Sequence, residues 1–235
     1  MRRTARNIIR GLVICALFYA ATSATQAATI IKLNLGDVGP DVGMNGAGVL
    51  STIDQTGGPP PTGDQFTNIE YTGFLNFIPD LGTNTATFSL NGLNAVGPAT
   101  VFGSLVIQNF LGGVFNLYDP ADNLLLRGPL TNSALSGVIG PPGTGALFTT
   151  TLGTVTGGSL LPFIAPGSVS LSMNMTNVNG GVGFAVGGAA PVLLPFLADA
   201  AINIAADFSG VPEPATLTLL GLGSAFALAL VRRRS

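Results

Sequence analysis

The run Ser168-Val169-Ser170-Leu171-Ser172-Met173-Asn174-Met175 decides the fold. It alternates strictly, with Val169, Leu171, Met173 and Met175 on one side and Ser168, Ser170, Ser172 and Asn174 on the other. Successive side chains of an extended chain point to opposite faces, so this period marks a half-buried strand and not a helix. Ala201-Ile202-Asn203-Ile204 repeats the pattern. Similar short runs recur at 29–35, 48–53, 66–78, 86–90, 100–110, 114–118, 123–127, 146–154, 181–186 and 200–208. Turn-forming stretches separate them, among them Gly57-Gly58-Pro59-Pro60-Pro61, Asn91-Gly92, Asp119-Pro120 and Gly140-Pro141-Pro142-Gly143. Asn179-Gly180 predicts a tight hairpin turn. Segment 189–206 is ambiguous, because its alanines and leucines suit a helix while Pro191 and Pro195 sit where one would start. The expectation is an all-β domain, a β-sandwich or jelly-roll-like fold. No fixed-period repeat supports the alternative, a solenoid.

The two ends of the chain have a different character. Arg2, Arg3, Arg6 and Arg10 precede a short apolar core at 11–21, and Thr25-Gln26-Ala27 places small residues where a signal peptidase reads. Residues 1–27 are thus expected to be a secretory signal helix, cleaved after Ala27. At the other end, Val211-Pro212-Glu213-Pro214 leads into a run at 215–231 without a charge, followed by Arg232-Arg233-Arg234. As a helix that run reaches roughly 25 Å, at the short end of what spans a bilayer core. The arginines stop transfer and stay on the cytoplasmic side. The prolines cannot continue a helix backwards, so Pro212-Glu213-Pro214 forms a stiff stalk.

Val-Pro-Glu-Pro, an apolar span and a terminal arginine cluster together resemble the PEP-CTERM sorting signal of Gram-negative bacteria. The resemblance covers 211–235 only. It implies recognition at Pro212, Glu213 and Pro214 by an exosortase, a membrane-embedded cysteine transpeptidase-like enzyme. It also implies transient anchoring in the inner membrane, then release or transfer, commonly in species that make exopolysaccharide. Domain boundaries of 1–27, 28–210 and 211–235 follow, with a single C-terminal transmembrane helix at 215–231.

With both ends set aside, the central domain holds ten acids and only two bases, Lys32 and Arg127, a net charge near −8. An acidic domain is a poor partner for nucleic acid, whose phosphates need Lys and Arg. The only cysteine, Cys15, lies in the signal, so the exported domain has no disulfide and depends on its core. Its outward strand faces are Ser, Thr, Asn and Gly instead of Lys and Glu, which leaves strand edges weakly protected against association.

Most catalytic chemistry is missing from the composition. There is no histidine, hence no Ser-His-Asp, Cys-His or His-metal site. Glu70 is the only glutamate of the domain, on the outward face of its strand with Asn68 and Thr72, where a solvated carboxylate is the plain expectation. A glycosidase would need a second acid facing it. Calcium candidates are Asp37, Asp41 and Asn45 in a Gly-rich loop, and Asp119-Pro120-Ala121-Asp122-Asn123 is a second oxygen cluster. Neither fits a known calcium spacing, and Asp and Asn are ordinary turn residues.

The expectation for function is a non-catalytic, exported structural or adhesive component of the cell surface or extracellular matrix, with no cofactor. Its partners are signal peptidase and exosortase, the inner membrane before processing, and exopolysaccharide afterwards. The alternatives are a carbohydrate-binding or carbohydrate-active β-domain dependent on calcium, and a permanently anchored surface protein.

Overall fold

The computed structural model describes residues 27–35, 39–53, 65–73, 75, 81, 85–141 and 145–209. Four lanes of the fold are each built from two strands laid end to end: β1 (Ala28–Leu35) with β2 (Val42–Met44), β3 (Val49–Thr52) with β4 (Gln65–Tyr71), β5 (Thr85–Asn91) with β6 (Leu93–Phe102), and β7 (Leu105–Leu111) with β8 (Val114–Tyr118). Four more are single strands: β9 (Leu124–Val138), β10 (Ala146–Leu152), β11 (Ser170–Thr176) and β14 (Phe196–Ala206). Each lane runs antiparallel to the one before it in the chain. The last returns to the first: Ala205 pairs with Thr29, Asn203 with Lys32, and Phe196 with Met44. The sheet therefore closes into an up-and-down barrel of eight lanes. A two-stranded hairpin, β12 (Val186–Gly187) and β13 (Val192–Leu193), stands apart from it.

The all-β expectation holds, but a sandwich or jelly roll is not what the lanes form. A jelly roll needs connections that skip lanes, and here every lane pairs with its chain neighbour. Closure depends on a contact between the two ends of the domain, which no local pattern encodes. It also overturns the expectation of exposed edges, since a closed barrel has no lateral edge to offer.

Alternation fills the interior. Leu171, Met173 and Met175 of β11 are buried while Asn174 is exposed. Phe196, Ala198, Ala200, Ile202, Ile204 and Ala206 do the same along β14, so the ambiguous 189–206 segment becomes strand, with Pro191 and Pro195 flanking β13. Eight lanes enclose a space that side chains just fill. Phe88 stacks on Phe115 at 6.4 Å, and Phe110 meets Phe148 edge-on at 6.3 Å.

The two-strand lanes bend where they are interrupted. Gly92 and Gly113 lie side by side at φ +77° and +93°, and a Cβ on Gly113 would come within 2.8 Å of Leu93 Cγ. Third and fourth lanes thus kink together at two glycines, Gly92 held by its left-handed backbone and Gly113 by both its backbone and the contact with Leu93. Thr52, the last residue of β3, seals the neighbouring break, its Oγ1 accepting from Leu90 N at 3.1 Å. Gln108, buried in β7, donates to the carbonyls of Val96 and Gly97, where the β6–β7 register shifts. These buried polar groups are bonded, as burial requires.

The barrel has two unlike ends. The upper end holds the start of β1, the Asp119–Asn123 turn, the 153–169 connection and the end of β14. Val155, Leu160 and Ile164 close it from inside. The lower end holds the 45–48 turn, the Gly103-Ser104 turn between β6 and β7, and the 177–195 connection. That connection plugs the barrel: Phe184 is buried edge-on against Phe196 at 4.8 Å, and its backbone bonds Val138 and Gly140. Asn179 and Gly180 both take positive φ, as a tight turn requires, but the turn starts this plug and does not join paired strands.

Candidate functional site

Of the charged residues singled out in the sequence, Lys32 and Glu70 lie on the outer wall, Asp119 lies in a turn and Asp41 is buried. Glu70 and Lys32 are direct cross-strand partners on β4 and β1, and Lys32 Nζ lies 3.2 Å from Glu70 Oε1. Both are largely exposed, so the pair contributes at most about 1 kcal/mol. The shallow depression around it, about 480 Å³, is lined by Asn34, Asn68 and Asn203, with no second carboxylate among the described residues. Acid–base catalysis across a cleft has no second group there.

Of the calcium candidates, Asp41 and Asn45 each accept hydrogen bonds from the barrel's own backbone. Asp37 lies outside the described residues. Asp41 is buried before β2, its Oδ2 accepting from Ala200 N at 2.7 Å, and so it ties the first lane to β14. Asn45 lies after β2, about 13 Å further along the chain at the usual strand rise. Its Oδ1 accepts from the amides of Ala47 and Val49, which closes the β2–β3 hairpin. Asp119 works in the same way. Its Oδ1 accepts from Ala121 N and Asn123 N, and its Oδ2 from the Asn123 side chain. The Asn123 side-chain amide, with the backbone amides of Asn123 and Ala121, holds the Asp119 carboxyl below its usual range. Burial, then the Asp119 charge, raises the Tyr71 phenol to about 12, so it stays protonated well into alkaline solution.

One concavity on the barrel was not legible in the sequence. It is an open groove of about 690 Å³ on the outer wall, crossing β7, β9, β10 and β11. Register builds it in rows. Asn109 lies opposite Ala134, Ala134 opposite Thr149, and Thr149 opposite Ser172. One row higher, Thr151 lies opposite Ser170, with Asn132 alongside. Among the described residues the lining has no charge: hydroxyl and amide side chains stand among Val96, Leu111 and Ala134, and most of the exposed lining is apolar, suited to a neutral ligand that offers both hydrogen-bonding groups and apolar faces. Alternation alone identifies Ser170 and Ser172 as outward, but which residues stand beside them depends on barrel register.

The first and last described residues, Ala27 and Ser209, lie at the barrel's upper end. Ala27 is exposed and β1 begins at the next residue. Ser209 N donates to Phe163 O beside the 153–169 connection. Pro212, Glu213, Pro214, Arg232, Arg233 and Arg234 lie outside the described residues, as do the expected signal and transmembrane helices. Among the described residues no helix is long and apolar enough to cross a membrane. No curated protein and no solved structure matches the chain. Residues 210–234, however, match the family model of the PEP-CTERM protein-sorting motif, so the chain carries at its C-terminal end a signal that implies sorting and processing by an exosortase.

Proposed function

We propose that this chain is a non-catalytic cell-surface or extracellular-matrix component, exported by a signal peptide cleaved after Ala27 and processed by an exosortase at Pro212-Glu213-Pro214. The observation that carries this reading is the sorting motif at 210–234. The fold supports it: the chain enters β1 and leaves β14 at one end, so a short stalk joins that end to the membrane. Arg232, Arg233 and Arg234 then remain cytoplasmic, and the barrel stands outside. Intact-mass analysis of the protein from its own cells and culture medium tests this. The expected product ends between Val211 and Pro214 and lacks 215–235. A protein that keeps Arg232-Arg233-Arg234 and stays with the membrane, in cells with an active exosortase, would overturn it.

A second reading, contact with a neutral exopolysaccharide, is favoured by the outer groove. Its hydroxyl and amide side chains stand in adjacent rows on an uncharged wall. Retention of the exported protein on immobilised neutral polysaccharide is expected, and it should fall when Asn132 and Thr149 are both changed to alanine. Wild-type protein that elutes with the void volume would remove this reading.

A further inference from the structure

The outer wall between β5 and β8 is recessed near the upper end of the barrel. Antiparallel pairing sets its residues in rows: Tyr118 lies opposite Thr87, Asn116 opposite Ser89, and Val114 opposite Asn91. Phe88, Leu90, Phe115 and Leu117 alternate with them and fill the interior, so the polar members of the rows face outward. Among the described residues, Ser89, Asn91, Asn116, Tyr118 and Asp122 line a recess of about 440 Å³. Its floor is polar and shielded from solvent. Ser89 is 2% exposed, and its Oγ accepts from Asn116 Nδ2 at 3.0 Å. Asn116 Oδ1 is buried and has no hydrogen-bond partner among the described residues. The Ser89 hydroxyl, in turn, still has its own proton to donate. One acceptor and one donor are thus left over a single carboxamide apart, although buried polar groups are as a rule bonded. The rim adds a third group. The Asp119–Asn123 turn is closed by Asp119, whose Oδ1 accepts from Ala121 N and Asn123 N. Asp122, at φ +61°, takes no part through its side chain, which leaves its carboxylate free to accept.

We propose that this recess binds a neutral sugar residue, with the Tyr118 ring against one face of the sugar and Ser89, Asn91, Asn116 and Asp122 meeting its hydroxyls. The donors and acceptors select the chemistry. A sugar hydroxyl both donates and accepts, so one such group answers Asn116 Oδ1 and the Ser89 proton together. A carboxylate only accepts, and its two oxygens take two hydroxyls on neighbouring carbons of a ring. Tyr118 is partly exposed, and its ring offers an apolar face to the C–H face of a pyranose. Rows on one face of a strand are two residues apart, so Asn91 to Tyr118 spans about 14 Å, room for one or two sugar rings. Other ligand classes fit less well. Calcium takes about six to eight oxygens, several of them from carboxylates, whereas Asp122 is the one carboxylate among the described lining residues. Among the described residues no cluster of three or more metal-ligating side chains occurs. An anion would face the Asp122 charge with no Lys or Arg in that lining to offset it. An apolar ligand would leave the floor groups without partners. The recess shares no described lining residue with the outer groove, so the proposal stands without the exopolysaccharide reading.

Tyrosine fluorescence tests the site, because the chain has no tryptophan and only Tyr71 and Tyr118 follow the expected signal. Protein from its own cells is first separated, by intact mass, into chains with and without the 215–235 tail. Both forms are titrated in the same detergent, so a retained tail is not mistaken for an absent site. Glucose, galactose, mannose and N-acetylglucosamine are the probes. A saturable change in emission is expected with at least one of them, at a millimolar dissociation constant. Magnetisation transfer from the protein to that sugar's ring protons should accompany it. Asp122→Asn should weaken binding at least about tenfold, the usual loss for a hydrogen bond to a charged group. Asparagine tolerates the left-handed backbone, so the turn survives the change. Asn91→Ala should weaken binding as well, and Asn174→Ala, exposed on β11, should not. Tyr71→Phe should leave the emission change in place, since Tyr118 reports it. No response to any of the four sugars, in either form of the chain, would overturn the proposal. So would a response that Asp122→Asn and Asn91→Ala both leave unchanged, or stabilisation by calcium chloride that Asp122→Asn abolishes and the sugars do not compete with.

Discussion

Changing Phe148 to alanine is expected to remove about 3–5 kcal/mol of unfolding free energy, while Leu147→Ala, one residue away, stays within about 0.5 kcal/mol. The contrast follows from the pleat. Phe148 is fully buried at the centre of β10, edge-on to Phe110 at 6.3 Å, whereas Leu147 is 42% exposed on the outer wall. Removing the ring leaves a cavity that a closed barrel cannot easily collapse, because its lanes are tied to neighbours on both sides. Nothing covalent compensates, since Cys15 is the chain's one cysteine and no disulfide can form within it. Against a typical stability of about 5–15 kcal/mol, the loss is a large fraction of the whole. Urea denaturation of the exported protein measures both variants. Equal and small effects would mean that the two faces of β10 are not inside and outside, and the barrel would be wrong.

How much of this was legible in the sequence depends on range. Period-2 alternation identified the faces of β11 and the upper part of β14 correctly, because that signal is local and strong. It failed at 100–110, read as one strand, where the chain instead turns at Gly103-Ser104 between Phe102 and Leu105. Gly-Ser between apolar residues is a two-residue hairpin signal, and it was masked by apolar residues on both sides. No strand is expected at 128–138, which holds Gly128, Pro129 and Gly137. They are strand residues of β9, where Gly137 makes room for the Phe184 ring: a Cβ there would lie 2.3 Å from Phe184 Cε2. Turn chemistry was the right expectation for Asn45 and Asp119, whose carbonyl and carboxylate oxygens accept backbone amides. The outer groove and the Tyr118 recess could not be read in advance, because each is assembled by register between segments far apart in the chain. The sorting motif is the opposite case. It is linear, and an enzyme that reads an extended segment leaves its requirements in consecutive residues.

Replacing Pro212, Glu213 and Pro214 together by alanine is accordingly expected to abolish removal of the 215–235 tail. Two physical requirements would be lost at once. On the proposed reading, the prolines disfavour helix in the segment and keep a helix expected at 215–231 from growing back into it, and alanine, the best helix former, invites that growth. On the same reading, a helix that grew through 212–214 would bond that segment's backbone internally and close it to an enzyme that reads it extended. The glutamate supplies the segment's one charge, and Glu213→Gln removes that charge while keeping the shape. If the single change leaves processing intact and the triple change blocks it, backbone form is what the exosortase reads; if both block it, charge is required as well. The barrel should be indifferent to either variant, since its last described backbone bond, Ser209 N to Phe163 O, lies before the changes. Mass spectrometry of the C-terminal peptide, with fractionation of membrane and medium, reads the result. A triple variant released at the wild-type rate, with its tail removed, would show that Pro212-Glu213-Pro214 is a spacer and that processing is directed from elsewhere.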